Sequence, residues 1–555
     1  MMESHDHNTE TAERTPPSRV RARLWWTAGI VAVLLLLLLT PPLINVNRLR
    51  KRIAASMSAS LGRPVHLDGV TLQLLPIPGF TLQNLVVSED PAFGNEPVIR
   101  ANTVEITLRP SSLWRRQVEL SSIRFVEPSL NLVRNAQGQW NLQGLLMHAA
   151  QVNSAPTEQS KAGPAPRFPY IEATNGRVNV KLADEKQPFS LIEADFALWL
   201  PSAEQWRVRL EGRPTRTDMN VANAGTMRLE GSLQRAATVG DVPVDLQATW
   251  HDAPLGEATK LLTGADAGWR GTLNVDATLT GPMSGANLAT GLHINDLRRA
   301  DFVPVRLLDL NIECNGDVDA TNAVVHDPSC TLPTPVPDGG KAAGRVVAIA
   351  DAVQMEGLGT PDHGLSGLRL GMTDVADSYV LDWARLFSQR IPVKDEPRGT
   401  VAGSVTYSAA ATEGWQGEFH ASVNGRRPWE PVAASTPAET PEPLTISVSA
   451  NQMTLTLAPL NLMPAAKAAG LELVGSATPQ SYTLRLAGTG TAAEVRSVLG
   501  TLPPLGDGAE AALLVLKDAD GKPVKVDVTC TRSWGAVQSC TAAAESPKPV
   551  KRGRR

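Results

Sequence analysis

The sequence predicts a mainly β protein that is attached to a membrane by one N-terminal helix. Residues 24–44 form an uncharged apolar run. From Val65 onward, apolar and polar residues alternate in short runs, which is the period of antiparallel strands with one apolar and one polar face. The chain contains 44 Gly and 42 Pro but only 9 Phe and 4 Tyr, so turns are frequent and large aromatic side chains are scarce. This balance favours a long β-structure over a compact enzyme with an aromatic core.

The apolar run 24–44 is long enough for a transmembrane helix, since a rise of about 1.5 Å per residue carries it across a hydrocarbon core of roughly 30 Å. Trp25 and Trp26 lie where an interfacial aromatic anchor is expected. A secretory signal peptide is the alternative, because arginines precede the run. No small-x-small cleavage site lies between Thr40 and Asn47, which favours an uncleaved anchor. Basic residues flank the run on both sides, so charge alone does not decide its orientation.

The cysteines bear on the compartment. There are only four, in two close pairs along the chain: Cys314 with Cys330, and Cys530 with Cys540. Disulfides within each pair are the simplest interpretation, and four buried thiols are the alternative; no CxxC or histidine spacing indicates a metal site. Two disulfides predict an oxidising compartment such as a bacterial periplasm. The expected topology is therefore a single-pass inner-membrane protein with a disordered cytoplasmic tail at 1–23 and its bulk in the periplasm.

An amphipathic helix is predicted directly after the anchor, over residues 45–61. Its apolar residues recur at a spacing of three to four, and Gly62 followed by Pro64 ends it. Basic residues lie largely off the apolar side: Arg48, Arg50, Lys51 and Arg52. Such a helix can lie at the membrane surface beside anionic headgroups, or it can cap the end of a β-structure. Both interpretations can hold together.

Strands fill the rest of the chain, and a loose motif opens several of them. Gly268-Trp-Arg-Gly271 and Gly414-Trp-Gln-Gly417 each precede an alternating run. Their intervals are irregular, so the pattern indicates repeated strand addition to one sheet and not a fixed-period solenoid. Three Pro-rich breaks, 151–169, 331–343 and 426–443, divide the chain into β-rich segments and a tail: 45–150, 170–330, 344–425, 444–543 and the basic tail 544–555. Long loops inserted into one continuous sheet would look the same.

Motifs for catalysis are missing from the sequence. There is no HExxH, GxSxG or Walker loop, and the histidines are scattered. Gly488-Thr-Gly490-Thr-Ala-Ala493 has the local order of a dinucleotide fingerprint, but alternating strands surround it instead of βαβ units. A net charge of −4 and a pI near 6.2 do not suggest nucleic-acid binding. We therefore expect no catalytic residue, no metal and no cofactor.

The apolar faces of so many strands need a cover. Helices are predicted only at 45–61, and more weakly at 380–387 and 491–499, which is too little to cover a large sheet. The sheet must therefore pack on itself as a sandwich or coil into a trough whose interior stays accessible. Physical chemistry alone favours the sandwich, because exposed apolar patches beyond a few hundred Å² are uncommon.

Several segments in the first part of the chain resemble one known family. Leu61-Gly-Arg-Pro-Val65, the strand pair from Pro76 to Leu85, Asp90-Pro-Ala-Phe-Gly94 and Asn135-Ala-Gln-Gly-Gln-Trp-Asn-Leu142 are similar to the N-terminal region of AsmA-type proteins. The similarity is most specific over residues 24–146. It implies an inner-membrane anchor and a periplasmic β-sheet curled into an open hydrophobic groove. It also implies a role in outer-membrane biogenesis as a lipid-carrying bridge, and it shifts the preference from sandwich to trough.

The expected groove consists of apolar strand residues that share one face: Leu210, Leu273, Val275, Ala277, Leu279, Val405, Val448, Leu484 and Leu486. Membrane phospholipids are the expected partners, with lipopolysaccharide and outer-membrane assembly proteins as further candidates. A non-enzymatic scaffold that assists assembly of outer-membrane proteins is the alternative function. Lipid transfer would require an accessible groove, whereas a scaffold would tolerate charges placed inside it.

Overall fold

The fold was analysed in a computed structural model. It describes the following residues: 23, 25–33, 46–73, 77–109, 120–135, 140–141, 169–182, 185–202, 204–238, 240–301, 303–320, 322–337, 342–354, 367–386, 393, 398–408, 415–424, 444–451, 454–462, 470–478, 480–501, 523–533 and 539–545. The predicted tail 1–23, linker 151–169 and loop 426–443 lie wholly or almost wholly outside these residues. Within the predicted anchor, residues 25–33 are helical. Among the described residues, no helix has both the length and the hydropathy needed to span a bilayer, so the anchor stays a prediction.

The described elements are mostly strands. The helices are α1 (Val46–Leu61), α2 (Leu255–Thr263), α3 (Asp377–Arg385) and α4 (Ala492–Thr501). The strands are β1 (Val65–His66), β2 (Gly69–Gln73), β3 (Gly79–Val87), β4 (Ile99–Leu108), β5 (Leu120–Val126), β6 (Ser129–Arg134), β7 (Tyr170–Leu182), β8 (Glu185–Ser202), β9 (Gln205–Arg216), β10 (Thr226–Gln234), β11 (Pro243–Pro254), β12 (Trp269–Pro282), β13 (Ala286–Arg299), β14 (Leu308–Asp319), β15 (Val324–Pro333), β16 (Arg345–Ala350), β17 (Ala352–Gln354), β18 (Gly367–Ala376), β19 (Arg398–Ser408), β20 (Trp415–Asn424), β21 (Leu444–Asn451), β22 (Thr454–Asn461), β23 (Leu471–Ala477), β24 (Ser481–Thr491), β25 (Pro523–Ser533) and β26 (Ser539–Glu545).

These strands form a single continuous sheet. From β7 to β15 each strand pairs antiparallel with the next one along the chain, and from β18 to β26 the same holds. Between these stretches β15 pairs with β16, and β16 pairs with β18. The predicted addition of strands to one sheet is therefore confirmed. The strands on either side of each Pro-rich break pair with one another in this sheet, and β15 and β26 extend into the predicted loop 331–343 and tail 544–555.

One junction departs from the predicted antiparallel pattern. β5 and β6 are two halves of one bent strand, and both pair with β7 in parallel. To form a parallel neighbour, the chain must return to the end of the sheet at which the first strand began, so a long crossover connection is needed. Residues 135–169, which contain the linker predicted at 151–169, provide that length. The alternation of apolar residues could not reveal this parallel step.

Left-handed residues bend the strands at bulges. Asn175, Asp252 and Asp296 have φ of 52°, 55° and 56°, a region that Asn and Asp tolerate better than most residues. Each donates its backbone N–H to a side-chain oxygen of the next strand, at 2.9 Å from Asp195, 3.0 Å from Asn274 and 2.9 Å from Asp309, respectively. Such bulges increase the local twist and curvature of a sheet.

The curl brings distant strands together. Arg532 at the end of β25 forms an ion pair with Asp301, which follows β13. On a flat sheet the strands from β13 to β25 would span about 50 Å, at roughly 4.8 Å per strand. Arg299 lies 3.8 Å from the same carboxylate and stacks over Trp269 at 4.9 Å from the ring centroid. Arg299 and Arg532 are both buried, and burial lowers the pKa of Arg299.

All four helices, α1 to α4, lie at the same end of the strands. α2, α3 and α4 follow β11, β18 and β24, and the alternation of directions makes these three strands run the same way. α1 precedes β1, which runs in the opposite direction, so α1 also lies at this end of the strands. Each helix packs its apolar residues against one end of the sheet, where separate buried clusters form.

Candidate functional site

The pairing register aligns one residue from nearly every strand into a row across the apolar face of the sheet. In this central row each residue lies directly opposite the next: Val70, Leu82, Val104, Phe125, Ala173, Phe196, Leu210, Leu229, Ala248, Ala277, Thr290, Cys314, Cys330, Ala348, Leu370, Val405, Gly417, Val448, Leu457, Gly475, Leu484, Cys530 and Cys540. Thr290 is its one side chain with a polar group. The apolar face is therefore continuous from β2 to β26.

The register places all nine predicted groove residues on this face. Leu210, Ala277, Val405, Val448 and Leu484 belong to the central row itself. The other four lie two or four residues along the same strands, and therefore point the same way: Leu273, Val275 and Leu279 on β12, and Leu486 on β24. The side chain of Val448 lies outside the described part of the structure.

Accessibility divides these residues into two groups. Leu210, Val275, Ala277, Leu279 and Leu484 are half-buried, as expected for a sheet face that no second sheet covers within the described part of the chain. In contrast, Leu273 shares a buried cluster with Ala258 of α2. Leu486 is fully buried in a cluster with Val495 and Leu499 of α4, and Val405 is buried as well. Three of the nine are thus core residues. Val275, Leu279 and Leu484 pack against the edges of buried clusters, so Leu210 and Ala277 are the most open of the predicted groove residues.

The opposite face of the sheet is polar and carries ion pairs. Arg485 and Asp527 face each other at 2.6 Å, and a hydrogen bond from Arg485 holds the pKa of Asp527 below its usual value. Arg228 and Glu230 pair at 2.7 Å on β10. These pairs are largely exposed, so each contributes little to stability. These charged pairs favour exposure of the polar face to water, and the apolar face remains available to an apolar ligand.

Disulfides also lie in the central row. Cys314 and Cys330 are bonded across β14 and β15. Cys530 is disulfide-bonded too, and the residue directly opposite it on the neighbouring strand is Cys540. Both positions therefore present sulfur, and not a charged or hydrogen-bonding group, to the apolar face.

The basic residues of α1 do not act as one group. Arg50 donates from Nη1 to the carbonyl oxygen of Asp68 at 3.0 Å and so holds α1 against the turn between β1 and β2. Lys51 and Arg52 are exposed. The side chain of Arg48 lies outside the described residues. α1 itself packs Ile53 and Met57 on the first strands, which matches the interpretation of a cap on the end of the sheet.

The dinucleotide-like stretch has a structural role. A Cβ on Gly488 would lie 2.3 Å from the carbonyl oxygen of Gly470, so the close approach of β23 and β24 requires glycine there. Thr491 and Glu494 form a capping box at the start of α4: the Thr491 N–H donates to Oε2 of Glu494 at 2.7 Å, and the Glu494 N–H donates to Oγ1 of Thr491 at 3.2 Å. A carboxylate of the chain thus occupies the place that a phosphate would take.

Among the described residues, no group of three or more His, Cys, Asp and Glu side chains is placed to hold a metal ion. His251 and His293 lie on the polar face in separate pairs, with Asp276 at 2.9 Å and Asn311 at 2.8 Å, respectively.

An apolar cavity between α1 and the first strands was not predicted. Its volume is about 660 Å³, and its lining comes from α1, β3, β4, β5 and β7. The apolar residues of α1 signalled that the helix packs on the sheet, but the space left beneath it depends on a register that the sequence does not show.

The cavity lies in the part of the chain where the similarity to a known family was strongest. Residues 21–193 match the model of the AsmA family. The resemblance is thereby confirmed for the region from the predicted anchor to the middle of β8. No curated protein and no solved structure matches the chain. The AsmA match covers the cavity and the first strands of the apolar face, and the sheet continues from there without interruption.

Proposed function

We propose that the protein is a membrane-anchored periplasmic lipid-transfer protein that acts in outer-membrane biogenesis and holds acyl chains along its apolar face. The observation that carries this proposal is the uninterrupted central row, which offers a hydrocarbon surface from β2 to β26 with no charged side chain in it. The AsmA family match supports the membrane and outer-membrane part of the proposal. Phospholipids are its proposed cargo, and the proposal requires no catalytic residue or cofactor.

The physical basis is the shielding of acyl chains from water. Each methylene that leaves water for an apolar surface gains about 0.8 kcal/mol. Half-buried residues such as Leu210 and Ala277 still have surface to offer a ligand, whereas a closed core would not. The polar headgroup can remain on the open side of the trough, so the apolar face imposes no headgroup selectivity of its own.

A matched pair of substitutions on β12 tests the proposal. Val275→Asp places a carboxylate on the apolar face, and Thr278→Asp places the same group on the exposed polar face three residues away. Transfer of fluorescent phospholipid between vesicles should fall about tenfold or more in Val275→Asp, because desolvating a carboxylate costs several kcal/mol. Thr278→Asp should transfer lipid like the wild type and retain its melting temperature. Because Val275 packs against the cluster of Ala258 and Leu273, Ala277→Asp on the central row repeats the test if Val275→Asp lowers the melting temperature.

Mass spectrometry of an organic extract of the purified protein gives the second test. Lipid transfer predicts co-purifying phospholipid that Val275→Asp loses. The scaffold alternative predicts instead that Val275→Asp stays active in outer-membrane protein assembly and that no lipid leaves with the solvent. That result would reject lipid transfer.

A further inference from the structure

The cavity beneath α1 is lined almost entirely by apolar side chains. Ile53, Met57 and Leu61 of α1 form its roof, and strand residues such as Ile123 and Phe125 form its floor. Arg52 is the single charged residue among those that line it. A volume of about 660 Å³ lies within the usual range of small-molecule sites, which is roughly 300–1,000 Å³.

The cavity is continuous with the apolar face. Phe125 and Val104 line it and also belong to the central row. Ile171 lines it as well and lies opposite Leu198 of β8, which lies opposite Val208 of β9. A chain that entered the cavity would therefore meet the trough with no polar strip in between.

Arg52 is available to a ligand at the rim. It is exposed and has no hydrogen-bond or ion-pair partner within the described part of the chain. Arg50, two residues before it, is engaged with the carbonyl oxygen of Asp68. A free guanidinium beside an apolar cavity is complementary to an amphiphile with an anionic head, and arginine binds phosphate in a bidentate manner.

The position of α1 indicates where such an amphiphile would come from. α1 begins at Val46, two residues after the end of the predicted transmembrane run at Ile44. The cavity therefore lies beside the surface of the membrane that the run would anchor. Hydrocarbon chains and phosphate groups occur together at that surface.

We propose that this cavity is the site where a phospholipid first leaves the anchored membrane, with an acyl chain under α1 and its phosphate on Arg52. The inference rests on the proposed function and adds to it the point of uptake and the recognised group. Selectivity for phosphate is set at this rim, and the apolar face beyond it carries any acyl chain that has passed.

Filling the cavity tests the site. Ile123→Trp from the floor and Ile53→Trp from the roof both occupy the space, so one can fail to fold without losing the test. Uptake of labelled phosphatidylglycerol from vesicles by the full-length protein should slow about tenfold or more in the filled variants. Release of lipid loaded beforehand from detergent should be unchanged, because the trough beyond β7 is intact.

Exchanging the cation tests the recognised group. The wild type should take up phosphatidylglycerol faster than diacylglycerol with the same chains, and Arg52→Gln should lose about a threefold or greater preference. Lys51→Gln is the matched control, since Lys51 is exposed on the same helix and does not line the cavity. Inorganic phosphate should abolish the preference of the wild type, because it competes with the lipid phosphate for Arg52. A preference that persists in saturating phosphate would contradict recognition of the phosphate group.

The outcomes separate this inference from the proposed function. Unchanged uptake in folded Ile123→Trp and Ile53→Trp overturns the cavity as the uptake site, even if Val275→Asp still blocks transfer. Equal uptake of the two lipids by the wild type overturns the role of Arg52. Unimpaired transfer in Val275→Asp would instead remove the proposed function itself.

Discussion

Asp377 is a buried carboxyl group at the start of α3, only 6% exposed. Neither of its side-chain oxygens has a hydrogen-bond partner among the residues that the structure describes. Burial raises its pKa to about 6, because the charged form loses its hydration without compensation. Nothing in the local sequence Ala376-Asp377-Ser378 indicates this, since an acidic residue in the first turn of a helix is ordinarily favourable and exposed.

Asp377→Asn should remove a pH dependence of stability. The pKa of Asp377 is higher in the folded state than the unfolded value of about 3.9, so its contribution is present below pH 4 and is lost as the pH rises through 6. The wild type should therefore be less stable at pH 7.5 than at pH 5. The asparagine variant should gain about 1–2 kcal/mol at pH 7.5.

Denaturant unfolding at both pH values checks this, with Glu211→Gln as the control because Glu211 is exposed on the polar face. If the two variants and the wild type show the same pH slope, the carboxyl group of Asp377 does not titrate as described.

Gly417→Ala should destabilise the sheet strongly. Gly417 has φ 151°, and a Cβ would lie 2.1 Å from the carbonyl oxygen of Ser404 on β19. Relief of that clash requires the two strands to move apart, at a cost of about 2–4 kcal/mol. Gly371→Ala is the control, since its Cβ would meet nothing closer than 3.9 Å. Comparable melting temperatures for the two variants would contradict the assigned role.

The helices show which elements sequence alone can find. α4 was predicted at 491–499 and spans Ala492–Thr501; α3 was predicted at 380–387 and spans Asp377–Arg385. α2 was missed, although Ala258 and Leu261 have helical spacing and Gly264 ends the helix in the left-handed conformation with φ 79°. Its nine residues follow β11 without a break, and the preceding alternation concealed the change of period.

Strand positions were predictable because each strand carries its own period of two. The single sheet and the common face of the groove residues followed from that period together with the family resemblance. The parallel step at β7 and the buried state of Leu273 and Leu486 were not predictable. Both depend on contacts between residues far apart in the chain, as does the cavity beneath α1.

Leu499→Ala should loosen the C-terminal end of the sheet. Leu499 is fully buried against strands β23 to β25 in a cluster with Leu471 and Val526, and such truncations cost about 2–5 kcal/mol. Leu262→Ala at the end of α2 is the control, because Leu262 is 60% exposed. Hydrogen exchange in β23 to β25 should accelerate in the first variant only; equal exchange in both would show that α4 does not stabilise these strands.

At the scale of the whole molecule, the ion pair of Asp301 with Arg532 closes the curl of the sheet. Asp301→Asn removes the carboxylate that two buried guanidinium groups share. Because Asp301 itself is 44% exposed, the expected loss is about 1–3 kcal/mol, below that of a fully buried pair. Hydrogen exchange in β24 and β25 should increase.

Arg485→Gln provides the comparison for this change, since it breaks an exposed pair with Asp527 on the polar face of the same strands. It should alter stability by no more than about 0.5 kcal/mol. If Asp301→Asn behaves like Arg485→Gln, the contact between the distant strands is incidental.

The ion pair of Asp301 with Arg532 also constrains how many strands can lie between β13 and β25. A meander in which neighbours pair only with neighbours tolerates the gain or loss of whole hairpins, and a lineage could lengthen or shorten it freely on either side of the stretch from β13 to β25. Inside that stretch, deletion of one hairpin would displace the guanidinium of Arg532 from Asp301 by about 10 Å. Variation in length among descendants of this chain should therefore collect outside the stretch, and hairpin deletions within it should survive only where this ion pair has been replaced.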